Sequence, residues 1–474
     1  ELYYTKYQVF SILIKFNILL FMTKTFAEFL TWVDSFLNFE KLPQKNMFWL
    51  DTMEFLCSML NNPEACIPSY HVAGSKGKGS VSAMISSILT EAGKKTGIYA
   101  SPHIEDFRER IRLNDSFFPD EIYEKAASEL YEKFSLIKDK IPNNRNVTWF
   151  ELVTVFAFLC MKLAKVDEAV FEVGLGGRLD ATNVIKPQIS IINTIELEHT
   201  EFLGDTLEKI AAEKAGIIKN GIPVLCATQV PEVKKVFKTF AEKNNSQIIF
   251  AEEIRKSIDC KYLTENNGKF MQVKIESNLF VRPLLFKTKM FGSVQADNAL
   301  LAASAVKIIH PEITEEIIEK GLSKTFLPAR FEIIKNPLND RRWNSENPEI
   351  VIDGAHTVKS IKLTLDTFEK FYSAKKAHLL FACAADKDVE HIACLFSNRF
   401  EKVTLTKPGN TKTCNIQKMK GAFSNAKINF NFTADFSVAI KNASEEAIKD
   451  NAVLLVTGSF YLASEFKKII KTCS

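Results

Sequence analysis

Short apolar runs recur along the chain, each followed by a longer stretch in which apolar positions return every three or four residues. "SYHVAG" (69–74) precedes a helical pattern from Ser80 to Ala92, and "KTGIYA" (95–100) precedes helical patterns around Glu121 to Lys138 and from Glu151 to Lys165. "EAVFEVG", "QISIINT" and "IPVLCA" continue the series, with a helix from Thr206 to Ile217 between the last two. Strand followed by helix, repeated, predicts a mainly parallel sheet covered on both faces. From Gln247 to Met290 the pattern shifts to short strands with a hairpin signal at "ENNGK", which predicts a small antiparallel appendage. A helix from Ala296 to Ile309 follows. "SKTFLPARFEII", with Pro328, then marks a boundary, after which "EIVIDGAHT", "AHLLFACAA", "KVTLTK" and "AVLLVTGS" open a second α/β series. "NPLNDRRWNSENPE" (336–349) reads as a surface loop.

The chain begins differently. "VFSILIKFNILLFM" (9–22) is apolar but interrupted by Lys15 and Asn17, and it is too short to span a bilayer. "MTKTFAEFLTWVDSFLNF", from Met22, has an amphipathic helical pattern. Residues 1–21 are therefore read as an upstream leader, with a secretory or anchoring segment as the competing reading. Domains are expected at 22–325 and 326–474.

Composition narrows the class. With 46% hydrophobic and 25% charged residues among 474, the chain buries sizeable cores. Its 61 basic and 57 acidic side chains leave a formal charge of only +4, which argues against a nucleic-acid partner. The nine cysteines form no C-x-x-C pair and no zinc spacing, which suits reduced thiols in a cytoplasmic protein with no membrane partner.

Candidate chemistry starts at "HVAGSKGKGSVSAMISS" (71–87). A strand turning through Gly74, Ser75, Lys76, Gly77, Lys78, Gly79 and Ser80 into a helix aims backbone N–H groups at one point, which suits phosphate. The loop is not a strict G-x-x-x-x-G-K-[ST] match. Lys78 suits a point charge between β- and γ-phosphates, whereas Lys76 reads as a solvated neighbour. Ser101 follows the next strand, where it serves either magnesium or a helix N-cap. Glu172, between Phe171 and Val173 on a core strand, needs a cation or a polar partner. Gly176, Gly177, Arg178 and Asp180 make either an anion pocket or only a turn. His199 follows a further strand, but a lone histidine is usually structural and magnesium prefers oxygen. Lys214 reads as a surface lysine on a helix directed toward the same crevice.

Taken in order, "HVAGSKGKGS", "YASPHIEDFRERI", "FEVGLGGRLDATNVI", "HTEFLGDTLEKIAAEKAGI", "LPARFE", "VIDGAHT" and "TGSFYL" resemble the folylpolyglutamate synthase / dihydrofolate synthase family of the Mur ligase superfamily. The resemblance runs from about Thr23 to Leu462. It implies an N-terminal P-loop-type ATPase domain and a C-terminal Rossmann-like glutamate-ligase domain. It also implies ATP-dependent joining of L-glutamate to folate or dihydropteroate through an acyl phosphate. Family magnesium ligands fall at Ser101, Glu172 and His199, and the lysine matching Lys214 is carbamylated in many superfamily members. Gln295, Asn298, Arg330, Asp353 and His356 match nucleotide contacts, the last two from a C-terminal domain whose closure excludes water. Four positions depart from the family pattern: Thr357 stands where "DGAHN" is usual, Ser75 and Lys76 replace "TN" in "TNGKGS", and Val294 replaces a frequent histidine. "GGRLDATN" and "VTWFE" resemble bifunctional bacterial members. A monomer suffices. The alternatives are another Mur-type amino-acid ligase, polyglutamylation alone, and a non-catalytic ATP-gated protein, the last disfavoured by Lys78, Glu172 and Asp353.

Overall fold

The computed structural model describes residues 25–38, 49–265, 268–334, 349–410 and 412–472. The expected leader over residues 1–21, Met22, Asn266 and Asn267 of the hairpin signal, residues 336–348 of the expected surface loop, and Cys473 lie outside the described residues. The chain divides into two compact units. One comprises the residues up to Ser101 with Arg110–Glu253 and Ser304–Pro311; the other comprises Pro102–Glu109, Ile254–Ala303 and the chain from Glu312 onward.

The first unit is built on seven strands: β1 (Ser69–Ala73), β2 (Thr96–Tyr99), β3 (Ile111–Leu113), β4 (Glu168–Glu172), β5 (Ile189–Ile192), β6 (Val224–Cys226) and β7 (Ile248–Phe250). Their order is β3-β2-β4-β1-β5-β6-β7, all parallel except β3, which runs antiparallel to β2. Strands β1, β2, β4 and β5 are buried along their whole length, as near-continuous apolar runs require in a sheet covered on both faces. Register pairs Val72 with Glu172 and with Ile191, and Tyr99 with Phe171. The turns that leave β1, β2, β4 and β5 therefore emerge side by side at one end of the sheet, where open α/β sheets bind ligands.

Helix Trp149–Ala164 starts at a capping box in which Thr148 accepts from the Glu151 N–H and Glu151 accepts from the Thr148 N–H. It is apolar on nearly every face and buried accordingly. Its Phe156, fully buried, stacks on Phe29 of helix Phe26–Val33 at a centroid distance of 4.2 Å. Helix Phe26–Val33 is shorter than the amphipathic pattern from Met22 suggests: Thr25 caps it and it ends after Val33.

The second unit contains the antiparallel sheet β10-β9-β8, from β8 (Arg255–Glu265), β9 (Gly268–Ser277) and β10 (Leu284–Thr288). The expected hairpin is present, with Glu265 opposite Gly268. A six-stranded sheet follows, from β11 (Glu332–Ile334), β12 (Ile350–Ile352), β13 (Ala377–Phe381), β14 (Lys402–Leu405), β15 (Asn431–Phe432) and β16 (Val453–Thr457). Its order is β11-β12-β16-β13-β14-β15, parallel apart from β11. The core on one face gathers Ile352, Leu380, Val456, Leu462 and Phe466, together with Ile104 from the 102–109 segment.

Replacing Phe156 with Ala removes a ring from a close-packed aromatic cluster. A loss of about 3–5 kcal/mol in urea unfolding followed by circular dichroism is expected.

Candidate active site

Gly74 leaves β1 at φ 144°, and a Cβ there would lie 2.7 Å from the Asn193 Cβ, so only glycine permits this approach. Ser75 anchors the loop to the next turn: its N–H donates to the Thr194 carbonyl at 2.9 Å, and its hydroxyl donates to the Glu196 carbonyl and accepts from the Glu196 N–H. Gly77, left-handed at φ 76°, then starts helix Lys78–Glu91 with no side-chain cap. The first N–H groups of a 14-residue helix thus face outward beside glycines, the arrangement an anion needs. Helix onset at Lys78 rather than Ser80 places that lysine in the first turn, where its Nζ donates to the Gly74 carbonyl at 3.0 Å.

Glu172 closes β4, almost wholly buried, and its Oε2 accepts the Ser101 N–H at 3.3 Å. A Cβ on Gly79 would lie 3.5 Å from the same oxygen, so the carboxylate lies against the start of the loop helix. No helix begins at Ser101; the next helical turn is Phe107–Arg110, so the cap reading of that serine gives way. His199 is exposed at φ 46°, immediately before the short helix Thr200–Leu203.

The turn after β4 supplies its own anion. Asp180, buried, accepts the N–H groups of Gly174 and Leu175 on one oxygen and that of Thr182 on the other. Arg178 is engaged with Glu213 through two hydrogen bonds. Asp180 thus takes up the N–H groups of Gly174, Leu175 and Thr182, and Glu213 takes up the Arg178 guanidinium, which favours the turn reading. The Thr182 hydroxyl donates to Asp180 and so accepts from His71 Nε2 at 2.8 Å, which places a proton on Nε2. Burial, reinforced by the Lys219 charge, pushes the His71 pKa from 6.5 down to about 3.

Lys214 is not the surface lysine its helix suggested. It is 1% exposed, and its Nζ donates to the Gly74 carbonyl at 3.0 Å and to Glu198 Oε1 at 3.0 Å. Burial, with Lys78 adding, lowers its pKa from 10.5 to about 8 against the opposing pull of Glu198. Lys76, read as a solvated neighbour, lies 3.7 Å from Glu198 Oε2. Glu198 is the residue that sequence reasoning missed; its proximity to three lysines depends on a fold that brings residues 74–78 and 214 to one place.

In the second unit, Gln295 and Asn298 face each other near the start of helix Ser293–Ile309, with Asn298 Nδ2 donating to Gln295 Oε1 at 2.9 Å. Arg330 sits at the apex of a strained turn whose flanks, Ala329 (φ 53°) and Phe331 (φ 50°), are both left-handed. Glu332 holds that turn by accepting the Ala329 N–H, and Asp353 by accepting the Phe331 N–H at 2.7 Å. Asp353 also accepts from the Ala355 N–H and the Thr364 hydroxyl; burial raises its pKa despite Arg330 and these bonds. The Arg330 guanidinium lies over the Phe460 ring at 4.4 Å, and His356 Nδ1 contacts the Gly354 carbonyl at 2.8 Å.

The Mur ligase middle domain family matches residues 72–306, and the Mur ligase glutamate ligase domain matches 329–460. The dihydrofolate synthase/folylpolyglutamate synthase of Haemophilus influenzae is 31% identical over 415 residues, covering 84% of this chain and 88% of that protein. The chain belongs to the folylpolyglutamate synthase / dihydrofolate synthase family. Its counterpart in Bacillus subtilis is 29% identical, with 93% and 98% covered. A Thermotoga maritima folylpolyglutamate synthase structure superposes with a TM-score of 0.78 at 27% identity, covering 95% of this chain and 97% of that one. A folylpolyglutamate synthase complexed with AMPPCP gives 0.77 at 25% identity, with 94% and 99% covered. This family member is an ATP-dependent ligase that adds glutamate to folates.

The buried neutral His71 makes the synthase acid-sensitive. Because its folded pKa lies below the unfolded value, stability falls as pH drops from about 6.5 toward 3, by up to about 1.4 kcal/mol per pH unit. Chemical denaturation at several pH values is expected to show this slope, and the His71→Gln variant to lack it.

Proposed function

We propose that this chain glutamylates both dihydropteroate and reduced folates, as a cytoplasmic monomer, with ATP held at residues 74–80. The observation carrying this reading is the uncapped helix start at Lys78 set against the buried Glu172. In the proposal, residues 22–325 form the ATP-binding domain and 326–474 the glutamate-ligase domain. The bifunctional naming of the Haemophilus influenzae and Bacillus subtilis relatives supports the two-acceptor reading.

The proposed chemistry has two steps. A substrate carboxylate oxygen attacks the γ-phosphorus and ADP leaves; the glutamate amine then attacks the acyl phosphate carbonyl and phosphate leaves. Backbone N–H groups of Gly77 to Ser80 and the Lys78 ammonium face the charge that spreads over the transferring phosphoryl group. Among the described residues Lys78 bonds the Gly74 carbonyl and no carboxylate, which supports its role toward phosphate. The Ser101 hydroxyl and Glu172 carboxylate are hard oxygen donors beside that loop and fit magnesium, with His199 as the third proposed ligand. Magnesium, when bound, supplies charge neutralisation of the phosphate oxygens. Lys214, with its amine pushed down to about 8, is proposed to accept carbamylation. Gln295, Asn298, Arg330, Asp353 and His356 are proposed to serve the nucleotide from the second unit.

Incubation with ATP, Mg²⁺, L-glutamate and either dihydropteroate or tetrahydrofolate is expected to release phosphate and glutamylated product in both cases. Turnover with tetrahydrofolate only restricts the enzyme to polyglutamylation. Silence in both, with ATP still bound, points to another Mur-type amino-acid ligase.

The site assignment makes its own demands. Lys78→Ala is expected to lower kcat by at least about a thousandfold with unchanged circular dichroism, and Glu172→Gln to raise the Mg²⁺ concentration needed for half-maximal rate. Wild-type kinetics in either variant defeats the corresponding role.

A further inference from the structure

Helix Phe460–Thr472 gathers two segments that lie far apart in the chain, 102–109 and 329–332. Pro102–Glu109 follows directly on Ser101 and belongs to the second unit, whereas the residues before and after it belong to the first. Glu109 stiffens this stretch. One of its carboxylate oxygens accepts the Ile104 N–H at 2.7 Å, and the other accepts those of Glu105 and Asp106 at 2.9 and 3.0 Å. The Ser464 hydroxyl of the helix donates to the Ile104 carbonyl, and the Ile104 side chain is buried with Leu462 and Phe466. Further along the same helix, the nearly buried Lys467 places its Nζ 3.3 Å from Glu105 Oε1 and donates to both oxygens of Glu332 at 2.8 and 2.9 Å. Glu332 Oε2 is the same atom that accepts the Ala329 N–H in the turn carrying Arg330.

We infer that Lys467 is a positioning residue for the ligase reaction: its ammonium clamps the segment leading from Ser101 and the turn carrying Arg330 onto one helix. The inference rests on the reading that Ser101 serves magnesium and Arg330 the nucleotide. Lys467 acts through Glu105 and Glu332. Without the ammonium, two poorly hydrated carboxylates face each other across the space it filled, and their repulsion drives them apart. Displacing Glu332 releases Ala329, whose left-handed backbone persists only while its surroundings hold it. Displacing Glu105 pulls on a stiff stretch and so on Ser101 at its start. Small shifts of groups that orient reactants cost rate out of proportion to their size. A purely stabilising role for Lys467 makes a different forecast: its loss lowers the number of active molecules, and with it kcat, while the KM for ATP and the Mg²⁺ requirement stay where they are.

Steady-state kinetics and hydrogen–deuterium exchange read by mass spectrometry, both on the full chain, test this together. Lys467→Met is expected to raise the KM for ATP and the Mg²⁺ concentration for half-maximal rate, each about tenfold. It is also expected to speed exchange in 104–109 and 329–332 ahead of the rest of the second unit. Lys467→Arg, whose guanidinium still bridges two carboxylates, is expected to restore most of both readouts. Glu105→Gln keeps the bond between Lys467 and Glu332, so it is expected to reproduce the Mg²⁺ shift without the ATP shift. Added to Lys467→Met, it is expected to give no further Mg²⁺ shift. A folded Lys467→Met protein that shows only a lowered kcat, or unchanged exchange in both segments, overturns the inference. Where Lys467→Met fails to fold, Glu105→Gln decides, and an unchanged Mg²⁺ requirement in that variant overturns the inference as well. Absence of turnover by the unsubstituted chain overturns the ligase reading instead, and exchange then still decides whether Lys467 holds the two segments.

Discussion

Everything at the candidate site depends on the backbone of Gly74 lying against Asn193. That contact tolerates no Cβ, and it brings the carbonyl of Gly74 to where Lys78 and Lys214 both reach it. It is possible because β1 sits between β4 and β5 in parallel register, so that three strands end level and their exits crowd together. Parallel pairing gives these strands nothing local to hold on to. Their stability comes from burial on both faces, which explains why helix Trp149–Ala164 is apolar nearly all round and why a glutamate at the end of β4 stands out.

Much of this was legible along the chain because it rests on local signals. The strand-helix alternation, the antiparallel hairpin between β8 and β9, and the glycines of the loop follow from periodicity and turn chemistry, and each element appears within a few residues of its expected place. Glu172 was legible for a related reason: a carboxylate inside an apolar strand is costly and so calls for an explanation. Lys214 was not legible. Its helix has lysines and glutamates in the ordinary surface pattern, and its burial comes from the loop 140 residues earlier in the chain closing over it. Asp180 was legible only as far as a choice between two readings, since glycine-rich turns that bind external anions and turns that carry an internal carboxylate share one composition.

The second unit uses strain where the first uses close approach. Ala329 and Phe331 are held in left-handed conformations by Glu332 and Asp353, two carboxylates that accept backbone N–H groups. That arrangement fixes Arg330 at the apex and explains why Asp353 is embedded in hydrogen bonds rather than exposed as a lone charge. Gly354 completes it: a Cβ there would lie 2.2 Å from the Phe460 ring over which Arg330 lies. The "LPARFE", "VIDGAH" and "TGSFYL" blocks, distant in sequence, are thus one packed structure, which accounts for their joint appearance better than any one block does alone.

The aromatic cluster around helix Phe26–Val33 has a consequence for how the molecule is observed. Of the four tryptophans, Trp32, Trp49 and Trp149 belong to the first unit, and Trp343 lies outside the described residues. Trp149 donates its indole N–H to Asp34 and lies against the Arg110 guanidinium, while Trp32 meets Phe36 and Phe134 edge-on. Intrinsic emission therefore reports chiefly on the unit that carries the Gly74–Ser80 loop, whereas far-ultraviolet dichroism averages over both. Transitions recorded by the two probes coincide only if the units melt as one, so a difference between them measures how independently each half of the chain keeps its fold.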